Sequence, residues 1–305
     1  MALTGLQIQK LLPKTNCKEC GSNTCMAFAM KLAAKKAELS QCPYASDEAK
    51  RVLGAASEPP VRTIALGPEH SLKIGGETVL YRHEKTFVNQ TALAVNVSDT
   101  DTADVVEATL CGVRDYVLER VGETLRVDMV SVSHRGAGAA PFVALVKKAW
   151  ETVKRPLVIR SEDAAALAEA ARAVQGSRSV LCAATADTLD MLRAAAIDNG
   201  HALAVTAPDL DGLVALAERL KAAAFNDIVL QFETHSLAEE FQTNSVARRA
   251  ALKDSYKPLG YPSVRFVEGR DALDECVAAI TEINKYGGIC VLPSFECSQL
   301  ASLMT

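Results

Sequence analysis

Eight short apolar strand candidates, each followed by an amphipathic helical stretch, fill residues 91–305, and four closely spaced cysteines stand ahead of them. These two observations predict an α/β chain: a TIM (β/α)8 barrel preceded by a small four-cysteine domain. A hydrophobic content of 49% excludes a disordered chain. A net charge of −4 over 305 residues gives no support to nucleic-acid binding by the protein as a whole. No stretch reaches about 18 uninterrupted apolar residues, so no membrane-spanning helix is expected. Residues 1–14 lack the basic-then-apolar pattern of a secretory signal. The expected location is cytoplasmic, which together with an odd count of 9 cysteines argues against a disulfide framework.

In chain order, the first feature is Cys17, Cys20, Cys25 and Cys42, spaced Cys-x2-Cys-x4-Cys-x16-Cys-Pro. Cys17 and Cys20 lie in NCKECGSNTC, a turn-rich segment able to aim several thiolates at one centre. Thr24 is placed to cap a helix running to about residue 39. Cys25 then falls in the first turn, where the helix dipole favours a thiolate or an anionic cluster. Cys42-Pro43 returns from the far end of that helix. Four thiolates can hold a [4Fe–4S] cluster, a [2Fe–2S] cluster or zinc. Zinc sites usually carry two Cys-x2-Cys knuckles, and here there is one. The compact triplet, distant fourth cysteine and following proline resemble iron–sulfur spacing more, with zinc and structural thiols as the alternatives. Residues 1–52 carry eight Lys/Arg against four Asp/Glu, a net of +4 that leaves −8 for the remainder. A basic shell would stabilise an anionic cluster; a solvated lysine face on one helix is the plainer reading.

LGAASEPP at 53–60 reads as a linker, so the first domain ends near residue 55. Residues 56–90 hold that linker and a β-hairpin turning at Gly75-Gly76. Strand candidates follow at 92–97, 127–133, 157–160, 179–183, 202–206, 227–232, 263–267 and 289–292. Helical patterns occupy 104–121, 142–153 and 211–224 among others, and Asp163, Asp209, Ser236 and Asp271 stand where helices start. Eight such units over residues 91–305 suit a barrel; a doubly wound sheet is the competitor. No G-x-G-x-x-G, P-loop, nucleophile elbow or HExxH is present.

Charged residues follow the strands: Asp99, His134, Arg160, Asp209, Glu233, His235, Glu268, Arg270 and Glu296. In a barrel those ends carry function. His134-Arg135-Gly136 reads as an anion-binding loop or a solvated one. Glu233 and His235, two apart, read as a metal pair or, more plainly, as surface ion-pairing groups. Cys111, Cys182, Cys290 and Cys297 read as core thiols, and Cys276 has no assigned role. No catalytic residue is assigned.

The stretches LTGLQIQKLLPKTNCKECGSNTCMAFAMKLA, CPYASDEAK, IGGETVLYRHEKTF and TALAVNVSD resemble the large (gamma) subunit of the corrinoid iron–sulfur protein, part of the acetyl-CoA decarbonylase/synthase system. The resemblance runs from residue 1 to the end. A similar cysteine module occurs in B subunits of Rnf-type electron-transport complexes, which lack the barrel. The resemblance implies that Cys17, Cys20, Cys25 and Cys42 ligate a [4Fe–4S] cluster, making the small first domain an iron–sulfur domain. It implies a barrel packed against the homologous barrel of a small (delta) subunit in a heterodimer. It further implies a methyl carrier of the reductive acetyl-CoA (Wood–Ljungdahl) pathway. There a corrinoid takes methyl from methyl-tetrahydropterin through a methyltransferase and delivers it to acetyl-CoA synthase. The cluster passes electrons from a low-potential donor to return Co(II) to Co(I). Such a chain is a component acting with a methyltransferase and not a stand-alone catalyst. No membrane or nucleic-acid partner is implied.

Members of that family continue into a Rossmann-like corrinoid domain, whereas this sequence stops at Thr305. The corrinoid is therefore not expected on this chain alone, and no corrinoid-contacting residue is assigned. A truncated chain is the expectation, with a separate corrinoid polypeptide as the alternative. Two other functional readings stay open: a [4Fe–4S] electron-transfer module with a partner-binding barrel, and a barrel methyltransferase that binds a methyl-pterin itself.

Overall fold

A computed structural model describes residues 4–33, 37, 39–46, 48–49, 53, 59–81, 84 and 88–305. The chain divides into two compact units, residues 1–59 and 60–305. The 53–60 linker and the 73–87 stretch fall partly outside the described residues, as do Lys35, Lys36, Lys50 and Arg51 of the basic group.

Two short helices whose bounds lie within the described residues of the first unit are α1 (Gly5–Leu11) and α2 (Cys25–Ala33). Thr4 and Gln7 form a reciprocal capping box on α1, which satisfies two otherwise orphaned N–H groups. As the sequence indicates, Thr24 caps α2, accepting from Ala27 N at 3.0 Å. The helix is shorter than its pattern, ending at Ala33 within the described residues, and a 3₁₀ turn (Leu39–Gln41) leads into Cys42. Ile8, Leu12, Phe28, Ala29, Ala45, Ala49 and Leu53 form its core together with Cys25 and Cys42. With one aromatic in it, such a core supplies little hydrophobic stabilisation by itself.

The second unit opens with a two-stranded antiparallel sheet, β1 (Ile64–Leu66) and β2 (Leu72–Ile74). The hairpin turns at 67–71 and not at Gly75-Gly76 as the sequence suggests. Both glycines have positive φ (76° and 89°), and a Cβ on Gly75 would run into the Arg62 carbonyl oxygen. They are there for close backbone approach.

Eight parallel strands follow: β3 (Ala92–Ser98), β6 (Met129–Ser133), β7 (Leu157–Arg160), β8 (Val180–Ala184), β9 (Ala202–Ala207), β10 (Ile228–Phe232), β11 (Val264–Phe266) and β12 (Ile289–Leu292). Their order is β10-β9-β8-β7-β6-β3-β12-β11. A parallel bridge from Leu230 to Ser263 closes the ring, with Leu230 N donating to Pro262 O at 2.9 Å. Each strand is followed by a helix: α3 (Ala103–Asp115), α4 (Ala139–Val153), α5 (Ala164–Ala173), α6 (Leu189–Asn199), α7 (Leu210–Ala222), α8 (Leu237–Leu252), α9 (Ala272–Asn284) and α10 (Cys297–Met304). The observed sheet is a closed barrel, which sets aside the doubly wound alternative. Asp163, Asp209, Ser236 and Asp271 all cap their helices through side-chain oxygens.

Alternate residues of the strands face opposite ways. Leu93, Val95, Val130, Val132 and Ile159 pack outward against the helices. Ala92, Ala94, Met129, Val158, Ala204, Val229 and Val291 fill the interior with Ile64, Leu66 and Ile74 of the hairpin. The hairpin stands at the N-terminal end of the strands, where Arg178, just before β8, donates to Ala65 O at 3.2 Å.

The helical pattern over 104–121 is cut short. α3 stops at Asp115, and Leu118–Arg120 (β4) pairs with Glu123–Leu125 (β5) across Val121-Gly122. Both turn residues have positive φ (50° and 81°), as a two-residue hairpin demands.

Candidate functional site

Cys17 lies in a backbone of alternating hand: Lys14, Asn16 and Lys18 have φ of 59°, 51° and 66°, and the residues between them do not. Such alternation turns successive N–H groups toward one concavity suited to an anion. Three non-glycine residues in that conformation cost energy that a purely structural loop has no reason to store. Asn16 Oδ1 accepts from Cys25 N at 2.8 Å, tying the loop to the first turn of α2. Gly21 N donates to Lys18 O at 2.9 Å, which folds the chain back around Cys20. The Tyr44 hydroxyl donates to Glu19 Oε1 at 3.0 Å, joining the segment after Cys42 to the loop holding Cys20.

All four cysteines are free thiols. Cys25 and Cys42 are buried in the unit's core, Cys20 packs against that core, and Cys17 is exposed. Among the described residues, no three His, Cys, Asp or Glu side chains are gathered closely enough to hold an ion as they stand. The donor chemistry nonetheless suits an iron–sulfur cluster. Two of the thiols lie in one small apolar core, a third packs against it, and the fourth stands on a loop of alternating hand.

Of the other cysteines, Cys182 and Cys290 are buried, and burial pushes Cys182 up to about 12. Cys297 is exposed and Cys111 half-buried, so neither is the core thiol expected from sequence.

At the C-terminal ends of the strands the polar groups are arranged differently from their pattern in sequence. His134-Arg135-Gly136 is neither an open anion loop nor a solvated one. Asp99 Oδ1 accepts the N–H groups of Arg135 and Gly136 at 2.8 and 2.9 Å. The His134 ring lies 3.6 Å from Asp99 through Nε2, bonds Ser161 Oγ at 2.8 Å through Nδ1, and stacks on Phe142. Glu233 accepts from Thr206 Oγ1 at 3.1 Å, and His235 N donates to Glu239 Oε2 at 2.8 Å. Glu233 and His235 form neither a metal group nor an ion pair among the described residues. Asp209 is a helix cap, and Arg270 pairs with Asp274.

Arg160, Gln231 and Glu233 line two adjoining cavities of about 280 and 190 Å³ at this mouth. Beside it, Arg265 reaches Thr234 Oγ1 at 2.6 Å and Glu240 Oε2 at 3.0 Å. Burial pushes Glu240 up to about 7. Glu282, fully buried next to it, accepts from Ser263 and Asn244 at 2.8 and 2.7 Å, and burial raises it as well. None of Asn16, Glu240 or Glu282 carries a signal in sequence, since each is a lone polar residue whose partner is distant in the chain.

A family model described as "CO dehydrogenase/acetyl-CoA synthase delta subunit" matches residues 63–305. A second, described as "Putative Fe-S cluster", matches residues 12–44, the segment holding all four clustered cysteines. The corrinoid/iron-sulfur protein large subunit of Moorella thermoacetica is 33% identical over all of this chain and 69% of its own length. The chain belongs to the corrinoid iron–sulfur protein large-subunit family. The acetyl-CoA decarbonylase/synthase complex subunit gamma of Methanothermobacter thermautotrophicus is 28% identical over 100% of this chain, with 69% of the relative covered. The barrel therefore matches a model described for one subunit of the system, while the whole chain aligns with relatives named for another. Among solved structures, a phospho-2-dehydro-3-deoxyheptonate aldolase from Thermotoga maritima superposes with a TM-score of 0.55 at 11% identity. It covers 83% of this chain and 73% of its own, a likeness of fold alone. Among the described residues, no helix is long and apolar enough to cross a membrane.

Proposed function

We propose that this chain is the cluster-and-barrel portion of a corrinoid iron–sulfur methyl carrier of the reductive acetyl-CoA pathway. The observation that supports this reading is the all-thiol set, Cys17 on a loop of alternating hand with Cys20, Cys25 and Cys42 at the small core, in a chain whose barrel matches this family. These four residues would hold a [4Fe–4S] cluster. When bound, it supplies a one-electron relay, with potentials in such centres extending down to about −700 mV. The chain's own residues do the holding. Asn16 fixes the first turn of α2 and so aims Cys25, and the Tyr44–Glu19 bond keeps the segment after Cys42 against the loop. The apolar core around Cys25 and Cys42 keeps water from that side of the site. The exposed Cys17 edge is the side an electron donor can approach.

In the proposed role, electrons from a low-potential donor return Co(II) to Co(I) on a corrinoid carried outside these 305 residues. When bound, such a corrinoid would supply the site that carries a methyl group between a methyl-tetrahydropterin methyltransferase and acetyl-CoA synthase. The small (delta) subunit is the proposed heterodimer partner, and the cytoplasm the proposed location. The chain is a carrier component and not a stand-alone catalyst.

The test is anaerobic reconstitution of the full chain with iron and sulfide. About four iron and four acid-labile sulfide per chain are expected, and Cys42→Ala should lose or convert the cluster. Zinc bound without iron, or a cluster spectrum unchanged in Cys42→Ala, would overturn the ligand set.

A further inference from the structure

The interior of the barrel turns polar two residues up five of six strands, the sixth ending on Phe266. Ala94, Met129, Val158, Ala204, Val229 and Val264 form an apolar interior. The next residues on the same face are Asn96, Ser131, Arg160, Thr206, Gln231 and Phe266. A barrel core needs only packing and is ordinarily filled with branched apolar side chains. A polar layer at the C-terminal end is therefore built for something other than stability.

Three groups in or just above that layer have bonding capacity to spare. Gln231 Oε1 is buried and has no hydrogen-bond partner, a state that is costly if nothing fills it. Glu233, two residues on and lining the same cavities, accepts only from Thr206 Oγ1. Arg160 makes no ion pair with any described carboxylate, and its guanidinium lies 4.2 Å from the Phe266 ring centre. By contrast Arg265, at the same mouth, is already held by Glu240 and Thr234. The three spare groups are common to both adjoining cavities, about 280 and 190 Å³. Ligand pockets start near about 300 Å³. Ala183 lines one cavity and Phe266 the other, which gives apolar surface for the face of a ring.

We infer that the barrel mouth binds a small flat heterocycle through an edge bearing two adjacent N–H donors and one carbonyl acceptor. The two donors meet Gln231 Oε1 and the Glu233 carboxylate, and the acceptor meets the Arg160 guanidinium. An amino-oxo pyrimidine edge, shared by guanine-type purines and by reduced pteridines, has that order of donors and acceptor. The inference does not depend on the cluster, whose presence is read separately from iron content.

Titration calorimetry on the full chain with guanosine and, separately, tetrahydrofolate tests it. Saturable one-to-one binding of either is expected, and which of the two binds identifies the source of the edge. Glu233→Gln and Gln231→Leu should each weaken binding at least about tenfold, the effect of losing one hydrogen bond of about 1.4 kcal/mol. Far-ultraviolet circular dichroism should remain unchanged. No heat from either compound up to millimolar concentration would overturn the site. So would binding that survives both substitutions undiminished.

Discussion

Arg155 carries a sharp stability prediction. It sits between α4 and β7, and its Nη1 donates to Val113 O at 2.9 Å and Val127 O at 2.6 Å, while Nη2 donates to Arg114 O at 3.2 Å. Val113 and Arg114 belong to the last turn of α3, whose carbonyls have no partner within the helix. Val127 is fully buried just before β6. Arg155→Met keeps the apolar stem and removes all three bonds. A hydrogen bond from a charged donor contributes about 1.5–3 kcal/mol. Val113 and Val127 are both fully buried, so their carbonyls bear the full loss, whereas that of the exposed Arg114 can be rehydrated. Burial already pulls the Arg155 guanidinium below its ordinary pKa, so desolvation takes back part of the gain. The net expectation is about 2–4 kcal/mol. For a unit of this size that is a fall in Tm of roughly 5–15 °C. Urea unfolding followed by circular dichroism should show a lower midpoint at unchanged slope. Arg155→Lys should fall between parent and Met, because an ammonium cannot span three carbonyls in the guanidinium's plane. A Met variant within about 0.5 kcal/mol of the parent would refute the clamp.

Three further outcomes are expected. Asp163 Oδ1 accepts from Ala165 N at 2.9 Å and Ala166 N at 3.2 Å, so Asp163→Ala should cost about 1 kcal/mol; an unchanged denaturation midpoint counts against that cap. Gly75→Ala should destabilise by more than about 1 kcal/mol, since φ is +76° and the new Cβ meets the Arg62 carbonyl oxygen; parent-like thermal unfolding would contradict the close approach. His201 accepts from Ser179 N at Nδ1 and donates from Nε2 to Ala171 O, and burial lowers its pKa. The unfolded chain therefore takes up the proton first, and stability should fall as pH drops below about 6.5. The same slope in His201→Asn would remove that assignment.

The barrel strands were legible because each is a short apolar run, buried on both faces, between amphipathic helices. Helix starts were legible where a single side chain does the capping, as at Asp163 and Asp271. The β4–β5 hairpin was not, because Val121 takes a left-handed turn position that Asn or Gly usually occupies. Nor was the β1–β2 turn, since Gly75-Gly76 looks like a hairpin signal while serving to bring the backbone near Arg62. In the cysteine unit the thiol spacing is a local signal, yet the role of Asn16 in fixing Cys25 is not, because it depends on a bond across nine residues. At the barrel mouth, Asp99 occupies the N–H groups of Arg135 and Gly136 from another strand end. A local reading sees those donors as free. The polar interior layer is a property of five strands read across, and no single segment displays it.

The ring of strands has seven ladder junctions and one that is different in kind. Between β10 and β11 the backbone supplies a single bridge, and the joint is made up by Arg265 reaching across to Thr234 and Glu240. The barrel is thus a curved sheet fastened by a clasp. A clasp of guanidinium on a carboxylate that burial pushes up to about 7 answers to protons, to which a backbone ladder is nearly indifferent. One edge of the mouth can therefore loosen with solution conditions while the other seven joints keep their register.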